Sequence, residues 1–215
     1  YRAAVDALGT LKLGHLEEAS ENATVRIAGM LNMVTKKFSK RDNRPYLILN
    51  VEDMEAAAEV MVYSDACEKL AAAGLELQPE QRVVITASVS RRDENEAPRL
   101  IAEKVELLDE AMRELTQEVL ITLYDDETDQ AALERLRRVL DQYPGRSKAV
   151  LCMVVGSGER FVFVEAKNRG LEVSPALLTG LAAVLGGNHV KLKVSAPEPI
   201  QRKRFRSGAP EVRNS

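Results

Sequence analysis

The feature that most constrains this chain is a change of period at Thr24. Before it, residues 1–23 carry Gly9 and Gly14 and read as a helical or irregular lead-in. From there on, Val25, Ile27, Gly29 and Leu31 alternate with Thr24, Arg26, Ala28 and Met30, the pattern of a half-buried strand. A basic turn, Lys36 to Pro45, leads to a second strand, Tyr46 to Val51, which ends at Glu52-Asp53. A third strand, Ala57 to Tyr63, runs into a short helix, Ser64 to Ala73, with Ser64 as N-cap and Gly74 as the stop. Two further strands, Arg82 to Ser90 and Arg99 to Leu107, flank the polar turn Arg91 to Glu96.

Three strands, a helix and two strands is the order of a five-stranded Greek-key OB barrel. Periodicity alone leaves other small β-barrels open. A second pattern begins at Glu118: a strand (Val119 to Leu123), an amphipathic helix (Asp129 to Asp141) ended by Pro144-Gly145, and two strands (Ala149 to Val155, Arg160 to Glu165) around Gly156-Ser157-Gly158. Ser174-Pro175 opens another helix, closed by Gly186-Gly187, and His189 to Val194 is a last strand. The expected fold class is α+β: a five-stranded OB-fold β-barrel followed by a small α+β domain. The expected division is lead-in 1–23, barrel 24–108, connector 109–117, small domain 118–196 and flexible basic tail 197–215.

Little in the sequence points to catalysis. Cys67 and Cys152 stand apart, too few for a disulfide framework and without the clustered ligands of a zinc site, so both read as buried core residues in a reducing compartment. The two histidines, His15 and His189, lie in no nucleophile or metal motif. Gly156-Ser157-Gly158 is followed by a strand, not by the helix N-terminus that a phosphate loop needs. The acidic pairs Glu52-Asp53 and Asp125-Asp126 sit at strand ends facing turns, where a solvated or capping role explains them better than metal binding does. No catalytic residue, metal or cofactor is expected. The longest apolar run, Ala149 to Val155, is far short of the roughly 20 residues that span a bilayer. No signal segment follows Tyr1, so a soluble, cytoplasmic chain excerpted from a longer protein is expected.

Charge is informative only by position. The chain carries 30 Lys+Arg against 33 Asp+Glu, a net −3 that argues against a nucleic-acid partner. Yet Lys36, Lys37, Lys40, Arg41 and Arg44 face one acid, Asp42, between Thr35 and Pro45, with Phe38 inside the run and Tyr46 just after it. Single-strand binders combine such a cationic track with aromatic faces for stacking, and this run lies in a connection that OB barrels use for contact. These seven residues are the candidate nucleic-acid-binding set. A solvated turn is the plainer reading. Arg91 and Arg92 begin the other contact loop but are cancelled by Asp93, Glu94 and Glu96, and Arg202, Lys203, Arg204 and Arg206 form a second basic block around Phe205.

Several stretches are similar to a known family. V-R-I-A-G-M-L at Val25 to Leu31, the basic turn, L-N-V-E-D at Leu49 to Asp53, E-V-M-V-Y at Glu59 to Tyr63 and D-A-C-E-K-L at Asp65 to Leu70 resemble the OB-fold domain of the bacterial DNA polymerase III alpha subunit. So do V-V-I-T-A-S-V-S at Val83 to Ser90 and the connector at Asp109 to Ala111. Leu171 to Gly186 resembles the small C-terminal domain of the same subunit. The resemblance implies the C-terminal portion of a replicative DNA-directed DNA polymerase, a nucleotidyltransferase whose metal-binding palm aspartates lie upstream, so this portion is expected to be inactive alone. It further implies that the OB-fold contacts single-stranded template DNA, and that the C-terminal domain docks the clamp-loader tau subunit among other replisome subunits. Gln201 to Phe205 departs from a clamp-binding peptide by its charged residues, and the tail departs from family members that end near the last strand. The alternative is a protein-interaction module with little DNA binding, docking through the helix at Asp129 to Asp141 or the second sheet.

Overall fold

The computed structural model describes residues 2–91, 97–156 and 160–200. Helix α1 (Arg2–Leu8) and a 3-10 turn (Leu13–Glu18) precede five strands: β1 (Thr24–Phe38), β2 (Pro45–Glu52), β3 (Ala57–Val62), β4 (Arg82–Ser90) and β5 (Arg99–Leu107). Helix α2 (Ser64–Ala72) lies between β3 and β4. Among the described residues these strands close a barrel in the order β1-β2-β3-β5-β4.

Strand β1 is long because it serves two partners, β4 along Thr24–Met30 and β2 along Met30–Phe38. At the changeover the strands approach so closely that a Cβ on Gly29 would run into the Glu52 carbonyl. A bulge between Leu31 and Met33 follows. It inserts a residue and shifts the in/out alternation of the rest of the strand. Upstream, Val25, Ile27 and Leu31 fill the barrel, whereas downstream it is Val34 that packs against the same core. Each barrel seam but one is antiparallel; β3 and β5 run parallel and are in register at Val60–Leu100 and Met61–Ile101 alone.

The expected basic turn is shorter than Lys36 to Pro45, since β1 runs on through Phe38 and puts Lys36 and Lys37 on a strand. Ser64 is the first helical residue; Tyr63 holds the N-cap position and makes no side-chain cap. Gly74 does end this helix in the left-handed conformation, with φ 66°.

Helix α3 (Leu108–Leu115) occupies the expected connector and leads into β6 (Thr116–Tyr124), α4 (Gln130–Gln142), β7 (Pro144–Val155), β8 (Arg160–Leu171), α5 (Pro175–Leu185) and β9 (Val190–Val194). Asp129 caps α4 by accepting from the Ala132 amide at 2.6 Å, and Ser174 caps α5 by accepting from Leu177 at 3.2 Å. The sheet order is β8-β7-β6-β9, which leaves β8 at an edge. Pro144-Gly145 opens β7 as well as ending α4. The fold is thus α+β, a closed five-stranded barrel with a second, helix-backed sheet.

The two halves share a core. Leu108, Met112, Ile121, Leu136, Leu177 and Leu181 pack with Ala28 and Val84 from the outside of the barrel, and with Ala4 and Leu8 of the lead-in helix. Residues 195–200 then return as a strap over the barrel. The Ser195 amide donates to Leu115 O at 2.9 Å, Arg26 Nη1 donates to Ser195 O at 2.8 Å, and the Ile200 amide donates to Thr24 Oγ1 at 2.9 Å. Arg92, the Ser157-Gly158 turn and the basic block at 202–206 fall outside the described residues.

Candidate nucleic-acid interface

The seven candidate residues occupy one hairpin, but strand alternation divides them. Directly opposed residues of an antiparallel pair share a face. Lys37 lies opposite Tyr46, Lys36 opposite Leu47, and Phe38 opposite Pro45. Leu47 packs against the barrel core, so Lys36 and Phe38 lie on the core side of the hairpin. They meet there, with Lys36 Nζ 5.8 Å from the Phe38 ring centroid. This side overhangs an apolar groove of about 540 Å³ lined by Val34, Leu47, Cys67, Leu70 and Leu75. Cys67 is half-buried, not fully buried; burial pushes its thiol pKa up, and Sγ donates to Val62 O at 3.3 Å.

Lys37 and Tyr46 face the other way, onto the outer surface of the barrel. The register carries this surface from β1 through β2 to β3: Thr35 opposes Ile48, and Ile48 opposes Met61. Just past β3, Tyr63 stands beside Tyr46, ring centroids 6.5 Å apart and planes tilted by 41°. Tyr63 is 48% exposed and Met33, farther along β1, is 59% exposed. Two aromatic rings, methionine and isoleucine side chains and one lysine therefore form a platform on which flat apolar groups can stack. The sequence reading missed Tyr63, Met33, Ile48 and Met61. The signal for Tyr63 was its place at the end of an alternating strand, yet only the β2–β3 register brings it to Tyr46.

The turn itself is held by its own polar groups. The Ser39 amide donates to Arg44 O and the Asn43 amide to Ser39 O, both at 2.9 Å, with Asn43 left-handed at φ 53°. Asp42 accepts hydrogen bonds from the Ser39 hydroxyl and the Arg44 amide, and these hold its carboxyl below the ordinary carboxylate value. Lys40 and Arg41 are exposed at the tip. Arg44 turns to α2, where Nη2 meets Glu68 at 2.7 Å and Asp65 at 3.1 Å. Arg91, at the start of the β4–β5 loop, donates to the Glu17 carbonyl. Among the described residues no cluster of three or more His, Cys, Asp or Glu could hold a metal ion.

Residues 25–108 match the family described as OB-fold nucleic acid binding domain, tRNA_anti-codon. Over most of its length the chain is similar to the DNA polymerase III subunit alpha. It is 27% identical to that of Mycobacterium tuberculosis over 79% of this chain and 14% of the relative. It is 23% identical to that of Escherichia coli over 86% of this chain and 16% of the relative. The chain thus spans less than a fifth of the length of the curated relatives it matches. Among solved structures, the mitochondrial single-stranded DNA binding protein Rim1 of S. cerevisiae is 14% identical, over 40% of this chain and 92% of that one, with a TM-score of 0.32. Residues 25–108 thus form an OB-fold barrel similar to the OB-fold nucleic acid binding domain family, in a chain similar over most of its length to part of the DNA polymerase III alpha subunit.

Proposed function

We propose that this chain is the C-terminal support portion of a bacterial replicative polymerase alpha subunit, and that its barrel holds single-stranded template DNA. The observation that carries this reading is the outer platform, where Tyr46 and Tyr63 stand side by side and Lys37 opposes Tyr46. Bases stack on the rings, phosphates track Lys37, Lys40 and Arg41, and Lys36 with Phe38 extends the contact around the hairpin. Arg44 adds less, because its guanidinium is engaged by Asp65 and Glu68. Nucleotide addition would belong to the rest of such a protein, and the setting is the bacterial cytoplasm.

Fluorescence anisotropy with labelled single-stranded DNA across a salt series tests it. Neutralising phosphates makes log K fall with log[salt], by about 0.7 per contact for single strands. Alanine at Lys37, Lys40 and Arg41 together should lower affinity and flatten that slope by roughly 2. An unchanged slope would overturn the phosphate contacts.

A second role, docking of the clamp-loader tau subunit, is supported by edge strand β8. Phe161 and Phe163 are 60% and 63% exposed, and Val162 and Val164 beside them are exposed too. Contiguous apolar side chains on an unpaired sheet edge mark an interaction surface. Phe161→Asp with Phe163→Asp should abolish tau pull-down and leave the melting temperature within a few degrees. Retained capture would sink this docking site.

A further inference from the structure

The two edges of the second sheet differ in how they are guarded. On β9, Lys191 and Lys193 alternate with Val190, Leu192 and Val194, which pack against the core, and α1 lies against this strand. Lysines and a covering helix are usual means of keeping a free edge from pairing with another chain. On β8 no charged residue and no proline stands between Phe161 and Val164. Among the described residues β8 pairs with β7 alone, in unbroken register from Arg160–Val155 to Glu165–Val150.

This exposed run is apolar on both faces. Val162 and Val164 lie opposite Met153 and Leu151, and Leu151 packs with the helix-backed core, so the valines share that face. Phe161 and Phe163 lie opposite Val154 and Cys152, on the other face. A strand that completes this edge must itself be apolar on both faces over about four residues. β8 is such a strand.

We infer that β8 of one copy pairs antiparallel with β8 of a second copy, joining the two four-stranded sheets about a two-fold axis at Val162. An axis perpendicular to the sheet keeps each face, so opposed residues lie an even number of positions apart in sequence. Centred on Val162, the pairing sets Val162 against its own counterpart and Phe161 against Phe163 of the second copy, on both sides of the axis. Val164 then lies against the apolar stem of Arg160. Centred on Phe163 instead, it would set Phe161 against Glu165 and make one Phe–Phe pair rather than two. Directly opposed aromatic pairs select the first register. The edge serves one partner at a time, and this pairing stands without tau.

Sedimentation velocity of the full chain tests it, from about 1 to 200 μM, the range suited to a small, transient interface. The chain should pass from monomer to dimer across that range. Val162→Lys and Val162→Glu each set like charges directly opposite one another and should weaken dimerisation at least about tenfold. An equimolar mixture of the two variants sets opposite charges at the axis and should restore the dimer, which also shows that both variants fold. A dimer that both variants retain overturns this seam, and so do variants that stay monomeric when mixed. A native chain that is monomeric at every concentration, with β8 amides protected from exchange by tau alone, overturns the pairing and gives the edge to tau.

Discussion

Tyr46 and Tyr63 differ from Phe38 in what their exposure means. Phe38 is 57% exposed but shares its side of the hairpin with Lys36, away from the paired tyrosines. Tyr63→Ala should therefore cost about 1–3 kcal/mol of single-strand binding, the range for one stacked base, and Phe38→Ala clearly less, as read by anisotropy. The bases and aromatics of the hairpin were legible in the sequence as composition at a place. Their division between two faces was not, because one inserted residue near Asn32 reverses the alternation; counting by twos from Leu31 puts Lys37 inside the barrel. Asp53 carries a different expectation. Burial acts to raise its pKa, but the amides of Leu13, Ala56 and Glu55, with Lys12 nearby, hold it below the ordinary 3.8. A carboxyl depressed on folding stabilises above its unfolded pKa, and that stability is lost as pH falls through the lower folded value. Asp53→Asn should cost about 1 kcal/mol at neutral pH, kept small by solvent screening, and should reduce the loss of melting temperature below pH 4.

Helices were read more faithfully than strand pairings, and the reason is range. Asp129 and Ser174 cap amides three residues away, so their signal is complete within a few residues of sequence. Strand β1 changes partners along its length, and nothing local to it announces that Thr24–Met30 lies against β4 while the rest lies against β2. The element-scale test sits at that changeover. Gly29→Ala places a methyl against the Glu52 carbonyl and should destabilise the barrel by roughly 1–3 kcal/mol in urea unfolding, although alanine is the better strand residue by side chain.

At the scale of the molecule, packing runs across the expected lead-in, barrel, connector and small domain. Leu8 is fully buried and α1 packs on β1, α3 and β9, so the segment that reads as a lead-in joins the two halves. Leu8→Ala should cost about 2–5 kcal/mol, with fluorescence and circular dichroism reporting one coincident transition. The seam between β3 and β5 has a consequence of its own. A closed barrel is as tight as its least-paired junction, and this one is in register at two positions only, Val60–Leu100 and Met61–Ile101. Amide hydrogens there should exchange with solvent sooner than those between β1 and β4. Met61 of the platform lies at this junction, in register with Ile101, so a strand laid over the platform would act as a clasp. Saturating single-stranded DNA should slow exchange at this junction more than anywhere else in the barrel.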